Sequence, residues 1–363
     1  MTGPLANWPV QDFLRRTGAR VPIIQAPMAG AGGVALAAAA IRGGAVGSLP
    51  CAMLTPDQVR EQVAQVRAQA DGPLNLNFFC HQLGDAPDET AWRALLQPFY
   101  VREGVGPPAA PPPLRAPFDD AMCAVVEEVR PEIVSFHFGL PEPRLLKRIR
   151  SAGIAVIGNA TTEAEAEWLL CEVDFVIAQG FEAGGHAGHF LNGYRPVGTL
   201  ALVRAVQQHT DVTLDPIIAA GGIADAEGIA AALQLGAGAV QLGTAYLHTA
   251  EATISPAHRA ALRTGETVVT NLFSGGFARG IRNALIDAIG PVHPAAPRFP
   301  YASAALAELR RVAEADGRGD YSPLWAGQAA SLGAPLPGQP PEGAQALTER
   351  LALEVADLLG TIP

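Results

Sequence analysis

The 363-residue sequence is unusual for how little lysine it has: Lys147 is the single lysine among 25 basic residues. Enzymes that form a Schiff base through lysine would depend on that one residue. It lies in a charged helical pattern, PRLLKRIR, which is typical of an exposed helix face. We therefore expect neither a pyridoxal phosphate enzyme nor a lysine aldolase.

Cysteine is also scarce, and no CxxC spacing occurs. This excludes a disulfide framework and a zinc ribbon, and it suits a reducing compartment. The first residues, MTGPLANWPVQDFLRR, lack the apolar segment of a secretory leader, and the uncharged residues 21–41 contain proline and glycines that disfavour a membrane span. We expect a cytoplasmic protein with no membrane segment. The four cysteines are Cys51, Cys80, Cys123 and Cys171.

Basic residues are too few to suggest a nucleic-acid partner. The sequence has 35 acidic against 25 basic residues, a net charge of −10, and no basic stripe. Only 17% of the residues are charged and 49% are hydrophobic, so the chain can bury a large core and is not intrinsically disordered. The composition favours a globular protein that acts on small molecules.

Eight short apolar runs alternate with helical patterns over the first 250 residues. The runs are nearly continuous in hydrophobicity, which is typical of parallel strands buried on both faces. Eight βα units are the count of a TIM barrel, whereas a doubly wound sheet more often stops at about five to seven strands. The sequence therefore predicts an α/β fold, a TIM (β/α)8 barrel. The runs are residues 21–28, 45–51, 74–79, 133–138, 155–161, 174–180, 216–222 and 239–247.

Two regions depart from this alternation. Residues 81–117 end in a proline run, which resists both helix and central strand, so we expect an insertion or lid over the barrel mouth. Residues 251–363 turn mainly helical. We assign residues 1–80 and 118–250 to the barrel. The insertion and the C-terminal region together form a predicted smaller, mainly helical second domain.

Glycine turns follow the last two predicted strands, as Gly221–Gly222 and Gly243–Thr244. Active sites of barrels lie at the carboxyl ends of the strands, and phosphate is often held after strands seven and eight. Glycine lets a phosphate approach backbone N–H groups. A phosphate site is our interpretation, and two ordinary tight turns are the alternative. The sequence has neither a P-loop nor a glycine fingerprint after the first strand.

A glycine–histidine loop, QGFEAGGHAGHF, follows the sixth strand at residues 179–190. Gly184 and Gly185 give it room to fold under a planar ligand, and His186 would then project as an acid or base. A surface histidine is one alternative. A metal site of Glu182, His186 and His189 is another, but a loop this rich in glycine holds ligands poorly. We therefore predict no metal.

His137 ends the fourth predicted strand, in VSFHFGLP. A histidine inside an apolar strand is often a core residue. Its position at the carboxyl end favours a place in the site.

Together these motifs resemble those of the nitronate monooxygenases, formerly called 2-nitropropane dioxygenases. The motif HFGLP is similar to the corresponding motif of the class I branch, and WAGQAASLG (325–333) resembles the tail motif of that branch. The resemblance spans roughly residues 20–335. The other motifs are QAPMAG (25–30), NLNFF (75–79), QGFEAGGHAGHF (179–190), AAGGIAD (219–225), QLGTAYL (241–247) and FSGGFARGIRN (273–283).

The resemblance implies an FMN-binding TIM barrel that oxidises alkyl nitronates with O2 to a carbonyl compound and nitrite. Neutral nitroalkanes are a further substrate class, and the oligomeric state is open. His186 and His137 are implied as catalytic residues, with Tyr301 and His189 in the substrate pocket. The implied cofactor-binding residues are Ala26, Pro27 and Met28 beside the isoalloxazine, Asn77 and Gln179 near its polar edge, Gly184, Gly185, Gly221, Gly222, Gly243 and Thr244 at the ribityl phosphate, and Gln241.

The sequence departs from the family pattern in two places. Ala187 follows the motif histidine where the family usually has arginine, and FSGGFARG differs from the usual FTGRPARG. We expect both changes at the mouth of the site, where they would affect substrate range.

Three other classes of protein are alternatives. FMN-dependent enoyl-acyl-carrier-protein reductases resemble the same glycine–histidine loop but usually carry a glycine-rich turn in place of His137. Relatives of IMP dehydrogenase need a cysteine near the loop after the sixth strand, and residues 179–190 have none. A non-catalytic flavin-binding protein stays open.

Overall fold

The computed structural model describes residues 8–108, 114–210, 216–263, 266–335 and 339–361, so residues 109–113 of the predicted proline run lie outside it. The strands within these ranges are β1 (Ile23–Gln25), β2 (Gly47–Pro50), β3 (Leu74–Phe79), β4 (Ile133–His137), β5 (Ala155–Ala160), β6 (Phe175–Gln179), β7 (Gly185–His186), β8 (Ile217–Ala220), β9 (Ala239–Leu242), β10 (Thr267–Thr270) and β11 (Ala278–Ile281).

The helices alternate with the strands in the first two thirds of the chain. They are α1 (Asp12–Thr17), α2 (Val34–Gly43), α3 (Pro56–Arg67), α4 (Thr90–Glu103), α5 (Asp120–Val129), α6 (Pro143–Ser151), α7 (Glu163–Leu170), α8 (Thr199–Gln207), α9 (Ala226–Gln234), α10 (Thr244–Leu247), α11 (Pro256–Ala261), α12 (Ala284–Ile289), α13 (Ala307–Ala315) and α14 (Ala344–Leu358), with a 3-10 turn at Ala304–Leu306.

Eight parallel strands form the barrel, in the order β1-β9-β8-β6-β5-β4-β3-β2. A parallel bridge between Ile24 and Val46 closes the ring. At this closure the Val46 N–H donates to the Ile23 carbonyl at 2.9 Å, and the Gln25 N–H donates to the Val46 carbonyl at 2.9 Å. Each of the eight predicted runs contains one of these strands, so the TIM barrel prediction is confirmed.

Apolar side chains fill the interior of the barrel at the amino-terminal ends of the strands. Phe13 on α1 is fully buried, and its ring centroid lies 5.4 Å from that of Phe175 on β6. Isoleucines from β1, β4, β5, β6 and β8 belong to the same cluster. The outer faces of the strands pack against helices, which explains why their sequences are apolar on both faces.

Local sequence sets where several outer helices begin. Thr55 forms a capping box with Gln58 ahead of α3, and Pro56 occupies the first turn, where its missing N–H costs nothing. Asp119 and Asp225 accept backbone N–H groups at the starts of α5 and α9. These caps hold each helix, and the loop before it, at a defined place on the barrel.

A second core lies beside the barrel mouth. It joins Trp92 and Tyr100 of α4, from the predicted insertion, to residues of α12 and α13. A three-stranded antiparallel sheet, β10-β11-β7, ties the loop after β6 to this region. The last helix, α14, instead packs against α2 and α9. Its Thr348 hydroxyl oxygen also lies 2.7 Å from that of Tyr246 on α10. The division into two domains stays a prediction.

No helix in the described parts of the chain is long and apolar enough to cross a membrane.

Candidate active site

A cavity of about 670 Å3 opens at the carboxyl ends of the barrel strands. Its wall is formed by the loop after β1, the ends of β3, β4 and β6, the turns after β8 and β9, and residues 322–329 of the tail. Both predicted catalytic histidines, His137 and His186, line it. So do all the predicted cofactor-binding residues: Ala26, Pro27, Met28, Asn77, Gln179, Gly184, Gly185, Gly221, Gly222, Gln241, Gly243 and Thr244.

The structure describes Tyr301 and His189, the two predicted substrate-pocket residues, but neither is among the residues that line this cavity. The Tyr301 hydroxyl donates to the Gly84 carbonyl at 2.6 Å. His189 Nδ1 lies 3.2 Å from the Ala187 carbonyl oxygen, and its ring packs near Tyr194, with centroids 5.9 Å apart. These contacts hold both side chains outside the cavity.

A belt of buried polar side chains lies inside the barrel beneath the cavity. Asn77 donates to the Ser135 hydroxyl at 2.9 Å, and Asn159 donates to Gln179 Oε1 at 3.0 Å. Gln179 in turn donates to the His186 carbonyl at 2.8 Å and accepts the Gly188 N–H at 2.9 Å. The belt therefore fixes the glycine–histidine loop from below. Sequence reasoning found Asn77 and Gln179 but missed their partners.

Backbone forms the wall on the side of β8 and β9. Gly221 and Gly222 have φ angles of +119° and +70°, a region that side-chain-bearing residues rarely adopt. A Cβ on Gly184 would lie 2.6 Å from the Ala326 carbonyl carbon, so the tail packs directly on this glycine. Gln241 Oε1 is buried and accepts no hydrogen bond from the described residues. The result is an uncharged surface of backbone groups with one free acceptor.

The tail motif holds this side in place. The Gly327 N–H donates to Thr244 Oγ1 at 2.9 Å, and the Gln328 N–H donates to the Glu182 carbonyl at 2.9 Å. The Glu182 carboxylate accepts the Thr199 N–H at 3.0 Å and the Thr199 hydroxyl at 2.9 Å. Glu182, a member of the alternative metal site, thus forms hydrogen bonds to the start of α8.

Strand β7 places His186 in the opposite wall. The residue pairs with Ala278 of β11, and its ring centroid lies 5.2 Å from that of Phe299 and 5.5 Å from that of Trp325. Its Nε2 lies 2.9 Å from Ser274 Oγ, and Ser274 is buried. Sequence reasoning missed Ser274, although it belongs to the quoted motif FSGGFARGIRN.

Both site histidines are uncharged at neutral pH. Burial, with the nearby Arg115 guanidinium and His137, holds the pKa of His186 well below its usual range. Burial lowers the pKa of His137 to about 4, although its Nε2 lies 3.2 Å from the His186 carbonyl oxygen. A neutral imidazole can accept a proton, so His186 is suited to act as a base.

Ala187 does not lie at the mouth of this cavity, contrary to our expectation. It lines a separate space of about 20 Å3 together with Tyr194 and Arg279. Its N–H donates to the Phe277 carbonyl at 2.9 Å, which continues the pairing of β7 with β11. Successive side chains of an extended strand point to opposite faces, so His186 faces the large cavity and Ala187 the small one.

Comparison with known proteins agrees with this geometry. The family model described as nitronate monooxygenase matches residues 13–338. A nitronate monooxygenase of Pseudomonas aeruginosa is 40% identical over 90% of this chain and 95% of its own length, and one of Paraburkholderia phytofirmans is 42% identical over 87% and 88%. The solved structure of nitroalkane oxidase from Streptomyces ansochromogenes superposes with a TM-score of 0.85 at 31% identity, covering 97% of this chain and all of that one. The chain belongs to the nitronate monooxygenase family.

Proposed function

We propose that this protein is an FMN-dependent oxidoreductase that converts alkyl nitronates and O2 into a carbonyl compound and nitrite. The observation that carries the proposal is a half-buried, uncharged His186 in a cavity of about 670 Å3 whose wall contains all the residues expected to bind FMN. The names of the relatives support the same chemistry.

The residues present suit FMN. The glycine turns after β8 and β9 offer backbone groups to a phosphate, and the free Gln241 Oε1 can accept a hydrogen bond from a hydroxyl-rich ligand. Ala26, Pro27 and Met28 would lie against its ring system, and Asn77 and Gln179 near the polar edge. When bound, the flavin supplies the electron acceptor that amino acids lack.

We assign His186 the role of general base for neutral nitroalkanes. A nitronate has already lost its α-proton, whereas a nitroalkane must give it up first. Because its pKa is held low, the His186 imidazole is neutral and has a lone pair free for that proton, while the same shift makes it a weaker base than an ordinary histidine. The negative charge that develops on the nitro group then stabilises the imidazolium. His137 contacts the His186 carbonyl, so we assign it to positioning the loop.

The test begins with the visible spectrum of the purified protein, which reports bound flavin. We expect propyl 1-nitronate to cause O2 consumption and nitrite release with no added reduced nicotinamide. Turnover of a crotonyl thioester with NADH, without nitronate oxidation, would instead indicate an enoyl reductase. Bound flavin with neither activity would indicate a non-catalytic protein. A cytoplasmic location stays a prediction.

A further inference from the structure

The small space behind the glycine–histidine loop differs from the active-site cavity in size and in chemistry. It measures about 20 Å3, which is room for one water molecule or one small ion but not for a nucleotide. Ala187 lines this space, whereas His186, the preceding residue, lines the large cavity. An occupant of the small space would therefore contact the back of the strand that carries the proposed base.

The charged side chains that line the small space are both basic. Among its described lining residues these are Arg279 of β11 and Arg195 in the segment before α8. Neither arginine forms an ion pair within the described parts of the chain. Glu182 lies close enough to Arg279 to act on its charge, but the Glu182 carboxylate is bonded to Thr199 instead. The small space is therefore positively charged.

Arg279 is a buried cation whose contacts bring no negative charge. The residue is 5% exposed, and its Nε donates to the Phe181 carbonyl at 2.8 Å. Its Nη1 donates to Thr267 Oγ1 at 3.2 Å, and its guanidinium carbon lies 5.4 Å from the Phe181 ring centroid. Burial lowers its pKa, yet an arginine stays charged at neutral pH. A desolvated cation without an anion is costly, and a bound anion recovers that cost.

Two hydrogen-bond donors beside the small space have no acceptor among the described residues. They are Arg279 Nη2 and the Tyr194 hydroxyl, and both residues line the space. The Tyr194 ring stacks on Phe277, with centroids 4.8 Å apart, so the hydroxyl is held in place. Burial raises the pKa of Tyr194, and Arg279 lies close enough to oppose that rise. One small ion can therefore accept from both donors.

We propose that this space is a binding site for a small monovalent anion of about the size of chloride, held by Arg279 and the Tyr194 hydroxyl. The exposed Arg195 lines the same space and attracts anions to it from solvent. A bound anion links the segment before α8 to β11 and so stabilises the loop that carries His186. The site requires neither the flavin nor the reaction, so its test is separate from that of the proposed function.

Thermal unfolding of the purified protein tests the site in solution. Sodium gluconate, whose anion is too large for the space, is replaced stepwise by sodium chloride at a constant ionic strength of about 0.2 M, so that screening does not change. We expect the melting temperature to rise by about 2–4 °C and then to saturate, because a ligand that binds only the folded state stabilises it.

Three variants, each compared with itself in gluconate, assign the effect to this space. Ala187→Leu fills the space and leaves both donors in place, so the rise in melting temperature should be lost. Tyr194→Phe removes one donor and should raise the chloride concentration for half of the effect about 10-fold. The matched control is Arg204→Ala on α8, an exposed arginine that donates to the Leu235 carbonyl outside both cavities. It should keep the full rise.

Bromide locates the ion directly, because it is close to chloride in size and scatters X-rays anomalously. Crystals in sodium bromide should show an anomalous peak within hydrogen-bond distance of Arg279 Nη2 and the Tyr194 hydroxyl oxygen. No peak there, or an equal rise in melting temperature in the parent and in Ala187→Leu, would overturn the proposal. A rise that persists in Ala187→Leu and disappears in Arg115→Ala would place the anion in the large cavity and overturn it as well. The proposed function would be unaffected by any of these results.

Discussion

The two sides of the cavity are made from different parts of the polypeptide. On the side of β8 and β9 the wall is backbone, and Gly221 and Gly222 hold conformations that other residues rarely adopt. On the other side it is made of side chains, with His186 among aromatic rings and the Arg115 guanidinium facing one of them, Phe299. A backbone wall cannot be altered without moving the chain, whereas a side-chain wall can change one group at a time.

This difference separates two functions. We expect substitutions on the glycine side to decide whether the cofactor is held at all. Substitutions on the histidine side should change which substrates react and how fast, with the cofactor retained. The two sides also differ in charge, because the glycine side is uncharged backbone whereas Arg115 lies on the histidine side.

The largest effect is expected from Gly222→Val on the glycine side. The φ angle of +70° is unfavourable for a β-branched residue, and the new Cβ would lie 3.1 Å from Glu182 Cβ. The turn must move, so we expect the purified variant to contain much less flavin per protein than the parent, because each ~1.4 kcal/mol of binding free energy lost raises Kd tenfold. Visible absorbance relative to protein concentration measures it.

Gly153→Val is the matched control. Gly153 has a φ of +76° with nothing within 4 Å of its missing Cβ, and it follows α6 on the outside of the barrel. The control carries the same backbone strain, so it should lower the melting temperature but keep its flavin. Full flavin in Gly222→Val would show that the glycine side does not hold the phosphate.

The next effect is expected from His186→Asn on the histidine side. Positioned general bases typically contribute ~10²–10⁴-fold, so activity on neutral nitroethane should fall by about that factor. Activity on ethyl nitronate should fall far less, because its proton is already gone. Flavin content should be unchanged. Initial rates of O2 consumption with the two substrates measure the difference.

Ser274→Ala sharpens this prediction. The hydroxyl lies 2.9 Å from His186 Nε2, and a hydrogen bond of this kind is worth about 1 kcal/mol, or roughly fivefold in rate. We expect a loss of that size on nitroethane and none on ethyl nitronate. If His186→Asn instead lost both activities equally, His186 would bind the nitro group rather than take its proton.

The sequence was sufficient to predict the barrel because each strand is a continuous apolar run, and burial on both faces requires that pattern in a parallel sheet. It also predicted the glycine turns and both histidines, because residues at the carboxyl ends of strands must meet at one end of the barrel. These features are local in sequence, and the topology then brings them together.

Other features depend on contacts between distant segments. Ser274 lies beside His186 only because β7 pairs with β11. Arg115 lines the cavity from the segment between β3 and β4, far along the chain from the other lining residues. Tyr301 was placed in the pocket by its motif, but its hydroxyl is bound to Gly84 in the insertion. No spacing along the chain shows such contacts.

The smallest effect concerns pH and the lining histidines. Burial lowers the pKa of His258 to about 4, and its Nε2 lies 3.1 Å from the Trp325 carbonyl oxygen. In the unfolded chain a histidine has a pKa of about 6.5. Between pH 6.5 and pH 4 the unfolded state therefore binds a proton that the folded state does not, and stability falls as the pH is lowered through this window.

From pH 7 to pH 5, we expect His258 to contribute about 1–2 kcal/mol of this loss. His258→Gln keeps a donor for the Trp325 carbonyl but cannot titrate, so its free energy of unfolding should fall less over the same range. Urea unfolding of the flavin-loaded protein at the two pH values measures this difference. The pKa of His137 is also lowered to about 4, so part of the dependence of the free energy of unfolding on pH should remain in the variant. An identical loss in parent and variant would mean that His258 is protonated in the folded protein at pH 5.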